Sequence, residues 1–182
     1  KEKLFGLTGP QGNHGEDVKE LYYYLDATPT HSYCKGRYRY PQAAFPYENL
    51  VNTTSKLNRT DPEYELLDTG ICDKGAFFDL DIEYAKADAD TTLVRYTVTN
   101  RGFAEAPLWL LAQVWFRNVW KWGRQGEDYG PKPSLKLGAS QHISLEHHQL
   151  GSMAFVWRQK DGQPLFTENE SDLQSLYGVK NE

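Results

Sequence analysis

The 182-residue sequence predicts a mainly β fold, a large antiparallel β-sandwich with few short helices. Three observations predict it. Apolar and charged side chains alternate with a period of two through the middle of the chain, clusters of Gly, Pro, Asn and Asp punctuate those stretches, and helical periodicity is scarce.

The first strands are expected at residues 21–25 and 33–40, both rich in tyrosine. Residues 42–62 carry Pro46, Asn49, Asn52, Asn58 and Pro62, which argues for a long loop or for a short helix around residues 47–57. AFFDLDIEY then sets Phe78, Leu80, Ile82 and Tyr84 on one face and Asp79, Asp81 and Glu83 on the other, the pattern of a strand with one wet side. TLVRYTVTN alternates in the same way and stops at Asn100-Arg101-Gly102, a turn signal, so the two segments should pair across the polar KADADT turn. PLWLLAQVWFRNVW, residues 107–120, is apolar on both parities, as in a strand covered on both faces; a buried helix is the rival reading. Further strands are expected at residues 142–147 and 154–158. ENESDLQSLYG near the end offers a short helix stopped by Gly178.

The length suits one domain, residues 1–182, with a single core. Lys1 opens the chain and Met153 is its lone methionine, so a piece of a longer polypeptide is expected. No apolar run reaches the roughly 18 to 20 residues that span a bilayer, and no leader pattern opens the sequence. The chain therefore reads as soluble and without a membrane partner, the cytoplasm being favoured slightly over secretion. Net charge is −5 and no long basic run is present, which argues against nucleic acid as a partner. Cys34 and Cys72 make no CxxC pair and read as free thiols, with one disulfide as the alternative. Sequons at Asn52, Asn58 and Asn169 matter only in a secretory setting.

Aromatic residues make up 14% of the chain, which suits a sugar-binding surface or an aromatic core. Trp109, Trp115 and Trp120 fall in the most apolar segment and read as core, whereas Trp122 sits in the Gly-flanked WKWGRQGEDYG loop and is the better ligand contact. Glu16, Asp17 and Glu20 could supply an acid and base, or form a solvated turn or an interface with another domain. Asp79 and Asp81 mimic a DxD metal motif, yet strand alternation explains both. His147 and His148 are adjacent on an expected strand and should point to opposite faces, a poor arrangement for a shared metal. No metal site or cofactor site emerges, and GLTGPQGNHG lacks the Gly-Lys-Ser/Thr ending of a phosphate loop.

The blocks KEKLFGLTGPQGNHGEDVKELYYYLDATPTHSY, YRYPQAAFPYENLV, DPEYELLDTG, IEYAKAD, VTNRG and VWFRNVWKWG resemble the amino-terminal part of glycoside hydrolase family 63, the processing α-glucosidase I family, and most of all its large microbial members. The resemblance implies a super-sandwich, galactose-mutarotase-like β domain. It implies a following α/α barrel that cleaves α-glucosidic bonds with inversion, and that holds the catalytic acid and base. This chain has too few helical segments for such a barrel, so no catalytic residue is expected within it. Its implied role is non-catalytic: bracing its own C-terminal barrel and lending loop residues to the pocket rim, with an oligosaccharide as ligand. Asn13, His14, Glu16, Asp17 and Lys19, clustered in a Gly-rich polar loop, are the candidates for substrate or interdomain contact, with Trp122 next. A stand-alone carbohydrate-binding module and a purely structural packing domain are the alternatives.

Overall fold

The computed structural model describes residues 21–126, 129–139, 141–159, 161–168, 174 and 177–180. The chain divides into two compact units, Lys1–Leu108 and Trp109–Glu182. Both are built on antiparallel sheet, so the fold is mainly β, as the alternation predicts.

The first unit carries a four-stranded meander: β1 (Tyr22–Ala27), β2 (Tyr33–Pro41), β3 (Phe77–Lys86) and β4 (Thr92–Asn100), in the order β1-β2-β3-β4. β3 and β4 pair with Phe78 opposite Asn100 and Lys86 opposite Thr92. The polar turn between them closes because the Ala87 N–H donates to the Thr91 carbonyl at 2.9 Å and the Asp90 N–H to the Asp88 carboxylate at 2.9 Å, an Asx turn. The turn between β1 and β2 uses the Thr28 hydroxyl as acceptor for the Tyr33 N–H at 3.1 Å. A bulge between Tyr24 and Asp26 adds one residue to the edge strand β1.

One face of this sheet is apolar, and residues 42–76 return across part of it. The short helix foreseen among them is α1 (Tyr47–Thr54), preceded by Pro46 and carrying Glu48 in its first turn, where the helix dipole favours an acid. It buries Leu50, which joins Leu21, Tyr38 and Leu66 in the core, with Tyr40, Phe45, Tyr64, Ile71, Cys72 and Leu80 packed around them. Tyr22 stacks on Tyr38 with ring centroids 4.4 Å apart, and burial raises the Tyr38 phenol above its ordinary pKa. Cys34 and Cys72 are both free thiols, and burial raises that of Cys72.

The second unit holds a three-stranded antiparallel sheet, β5 (Ser134–Leu137), β6 (His142–His147) and β7 (Gly151–Val156), in the order β5-β6-β7. Leu145 on the middle strand is buried. Gln174 and Tyr177 have helical backbone, and Gly178, at φ +68°, donates to the Gln174 carbonyl, as the expected glycine stop requires.

Two expectations are corrected. Residues 107–119 form neither strand nor helix, although their apolar pattern suits a strand buried on both faces. Such a strand needs a ladder partner and a cover on each side, and the described residues supply no ladder for it. His147 and His148 do not point apart: His147 ends β6, His148 begins the turn, and their rings stack at 4.5 Å. The pleat that would separate them has already ended.

Candidate functional site

Asn13, His14, Glu16, Asp17 and Lys19 lie outside the described residues. Trp122 belongs to the short 3-10 turn Trp120–Trp122, which ends at Gly123 with φ +65°. No described geometry therefore joins the loop candidates to Trp122. Among the described residues no group of three or more His, Cys, Asp or Glu side chains is placed to hold a metal ion.

Two other features stand out. The first is aromatic and exposed. Trp109 is 89% and Trp115 66% exposed, against the core role that the sequence suggests for them. Of the three tryptophans in that segment only Trp120 is turned inward, its indole Nε1 buried without a hydrogen-bond partner. Leu110, Leu111 and Val114 are exposed beside them, and on β1 Tyr24 is fully exposed between Tyr23 and Leu25.

The second feature is a ladder of charge on the polar face of the first sheet. The pleat puts Lys35, Arg37 and Arg39 of β2 on the same face as Asp79, Asp81 and Glu83 of β3. Register sets Arg39 opposite Asp79, Arg37 opposite Asp81 and Lys35 opposite Glu83. Continuing across the sheet, Asp79 faces Thr99, Asp81 faces Thr97 and Glu83 faces Arg95 on β4. Arg37 grips Asp81 with two parallel bonds, Nε to Oδ1 at 2.6 Å and Nη2 to Oδ2 at 3.0 Å. That grip, aided by the charges of Lys35 and Arg101, holds the Asp81 carboxyl below its ordinary pKa. Glu83, whose side chain is 12% exposed, accepts from Arg95 Nε at 2.8 Å and from the Tyr33 hydroxyl at 2.7 Å. These two bonds bring its pKa down to about 2.

Asp79, at the end of the ladder nearest the start of β3, is its most buried member, only 4% exposed. Its Oδ1 accepts from Arg39 Nε at 3.1 Å and its Oδ2 from Arg101 Nε at 2.9 Å, while Arg37 Nη1 stands 3.9 Å from Oδ2. Arg39 also lies over the Phe77 ring, 4.1 Å from its centroid. Arg101 is positioned by the turn that ends β4: its N–H donates to the Phe77 carbonyl at 2.9 Å, and the Gly102 N–H donates to Asn100 Oδ1 at 2.8 Å. A side chain at Gly102 would crowd this turn, its Cβ lying 2.9 Å from Gln42 Oε1 and 3.2 Å from Asn100 Oδ1.

The outward alternation of Asp79 and Asp81 is legible in the sequence, but their role emerges only from the pairing of β2 with β3. The signal was present: three bases alternate in YCKGRYRYP, three acids alternate in FFDLDIEY, and antiparallel pairing brings the two sets together. Reading each strand alone hides this complementarity.

No protein-family model matches the sequence, and no solved structure matches it. Among curated proteins it is similar to Uncharacterized protein YMR196W of Saccharomyces cerevisiae, 38% identical in an alignment 213 positions long that takes in 97% of this chain and 19% of the yeast protein. The chain thus spans about a fifth of the length of the curated relative it matches.

Proposed function

We propose that this chain is a non-catalytic β domain of a larger glycosidase of the family 63 kind, acting on α-glucosidic bonds with inversion. In this reading it braces a catalytic α/α barrel, to which the chemistry belongs, and shapes the rim of that barrel's pocket. One observation carries the proposal: the apolar stretch around Trp109 and Trp115 is exposed although its pattern suits burial on both faces. At 89% and 66% exposure, these two indoles present about 300 Å² of coverable area, using the roughly 200 Å² that a large aromatic buries. Covering it is worth roughly 7 kcal/mol before ordering costs, by the usual area coefficient. A gain of that size is comparable with the whole stability of a small domain, and such a stretch marks an interaction surface. A catalytic barrel offers the cover, and the greater length of the yeast relative leaves room for one.

Amide hydrogen exchange tests the packing. Residues 108–116 should exchange rapidly in this 182-residue chain, and the matching stretch of the full-length yeast relative should be protected. Equal, rapid exchange in both would remove the bracing role. The exposed aromatics also suit a carbohydrate-binding module, which requires heat of binding when α-glucans are added to the chain alone.

A further inference from the structure

We infer that the polar face of the first sheet holds an oxyanion site, built from Arg39 and Arg101 on the Asp79 anchor, with Arg37, Thr97 and Thr99 around it. The inference rests on the charge ladder and stands apart from the glycosidase reading.

Five basic side chains, Lys35, Arg37, Arg39, Arg95 and Arg101, meet three carboxylates, Asp79, Asp81 and Glu83, so the ladder carries more positive than negative charge. Arg37 and Asp81 neutralise one another through two hydrogen bonds. Arg95 matches Glu83. Lys35 lies 3.8 Å from Asp81, with Asp26 and Glu83 as its neighbours in register. Asp79 instead holds two guanidiniums, one on each carboxylate oxygen. A purely structural pair would need one of them, so one positive charge is left over at Asp79, on a chain whose net charge is −5.

The donors left over are arranged as well as charged. Arg39 and Arg101 each engage Asp79 through Nε, and their Nη1 and Nη2 atoms have no hydrogen-bond acceptor among the described residues. Arg37 engages Asp81 through Nε and Nη2, and its Nη1 is too far from Asp79 for a hydrogen bond. The hydroxyls of Thr97 and Thr99, next in register to Asp81 and Asp79, likewise have no described partner. Anchoring a guanidinium by its Nε to a buried carboxylate fixes its plane before any ligand arrives, which lowers the ordering cost of binding. Terminal guanidinium nitrogens flanked by hydroxyls suit a carboxylate or phosphate oxygen, which accepts several short, charge-assisted hydrogen bonds. The rigid sheet and the Phe77 ring under Arg39 complete a preorganised site.

The test is a titration of the 182-residue chain at constant ionic strength, following the arginine Nε–H resonances by NMR. The probes are inorganic phosphate and glucuronate, with sodium chloride as the reference. Saturable shifts at Arg39 and Arg101, with Arg95 unmoved, are expected for one or both probes. Saturation by phosphate alone assigns a phosphate-bearing ligand, and saturation by glucuronate alone assigns a carboxylate. Arg101→Gln, at a side chain 47% exposed and with folding verified by circular dichroism, should weaken binding about tenfold, as expected for the loss of a charge-assisted donor. Shifts that follow ionic strength alone, or that move Arg95 in parallel, would overturn the inference without touching the proposed glycosidase role.

Discussion

Replacing Asp79 by Asn tests whether the buried carboxylate organises the first sheet. The isosteric amide keeps the shape but removes the charge, and it turns an NH2 group toward one of the two guanidiniums that Oδ1 and Oδ2 now accept from. Hydrogen bonds to charged groups contribute about 1.5–3 kcal/mol each. The side chains of Arg39 and Arg101 are partly exposed, so both can recover hydration, and the gross loss must be discounted for solvent screening. What remains is a destabilisation of about 2 kcal/mol. With a urea slope of about 1–3 kcal/mol per molar, the midpoint should fall by roughly 1 M. All five tryptophans lie at position 109 or beyond, so their emission reports the second unit. The assay is therefore far-UV circular dichroism joined to amide exchange along β2, β3 and β4. A change below about 0.5 kcal/mol, the size of an ordinary surface substitution, would refute the reasoning.

Arg95→Gln should raise the Glu83 pKa from about 2 toward its ordinary value, as read by a carboxyl NMR titration. Because the folded-state pKa is depressed, the stability tied to Glu83 is complete above the unfolded-state value of about 4.3 and is lost as pH falls through about 2; the variant should flatten that part of the acid profile. Leu66→Ala empties a fully buried position beside Leu50 and should cost about 2–5 kcal/mol in urea unfolding; a cost under 1 kcal/mol would mean that the core is placed wrongly. Trp109→Ser together with Trp115→Ser should leave the thermal midpoint nearly unchanged while lowering self-association in sedimentation, and a large drop in midpoint would show that these indoles are packed in the isolated chain.

The first sheet was legible in the sequence because its strands have one wet side. The alternation in AFFDLDIEY and TLVRYTVTN places Leu80, Ile82, Val94 and Val98 on one face and the acids on the other, as β3 and β4 do. The strand at residues 142–147 is readable from the alternation of Ile143 and Leu145 with polar neighbours, while β5 (Ser134–Leu137) is too short to carry a period and was missed. β7 (Gly151–Val156) begins three residues before the expected 154–158 stretch, because the left-handed Gly151 starts the strand directly after the turn. The error at residues 107–119 has a different origin. Two-sided apolar content reports what a segment would bury, whereas strand formation also needs a neighbour to bond, which composition does not reveal. The Asp79 cluster was hidden for a related reason: its meaning lies in the register between strands separated by residues 42–76, not in either strand.

Hydrolysis by the full-length yeast relative tests the central claim most directly. Supplied with α-linked glucobioses and followed by proton NMR, it should release glucose whose new anomeric centre appears first in the β configuration, before mutarotation. Absence of glucose release from every α-linked disaccharide, or first appearance of the α anomer, would contradict the proposal that this chain belongs to an inverting α-glucosidase.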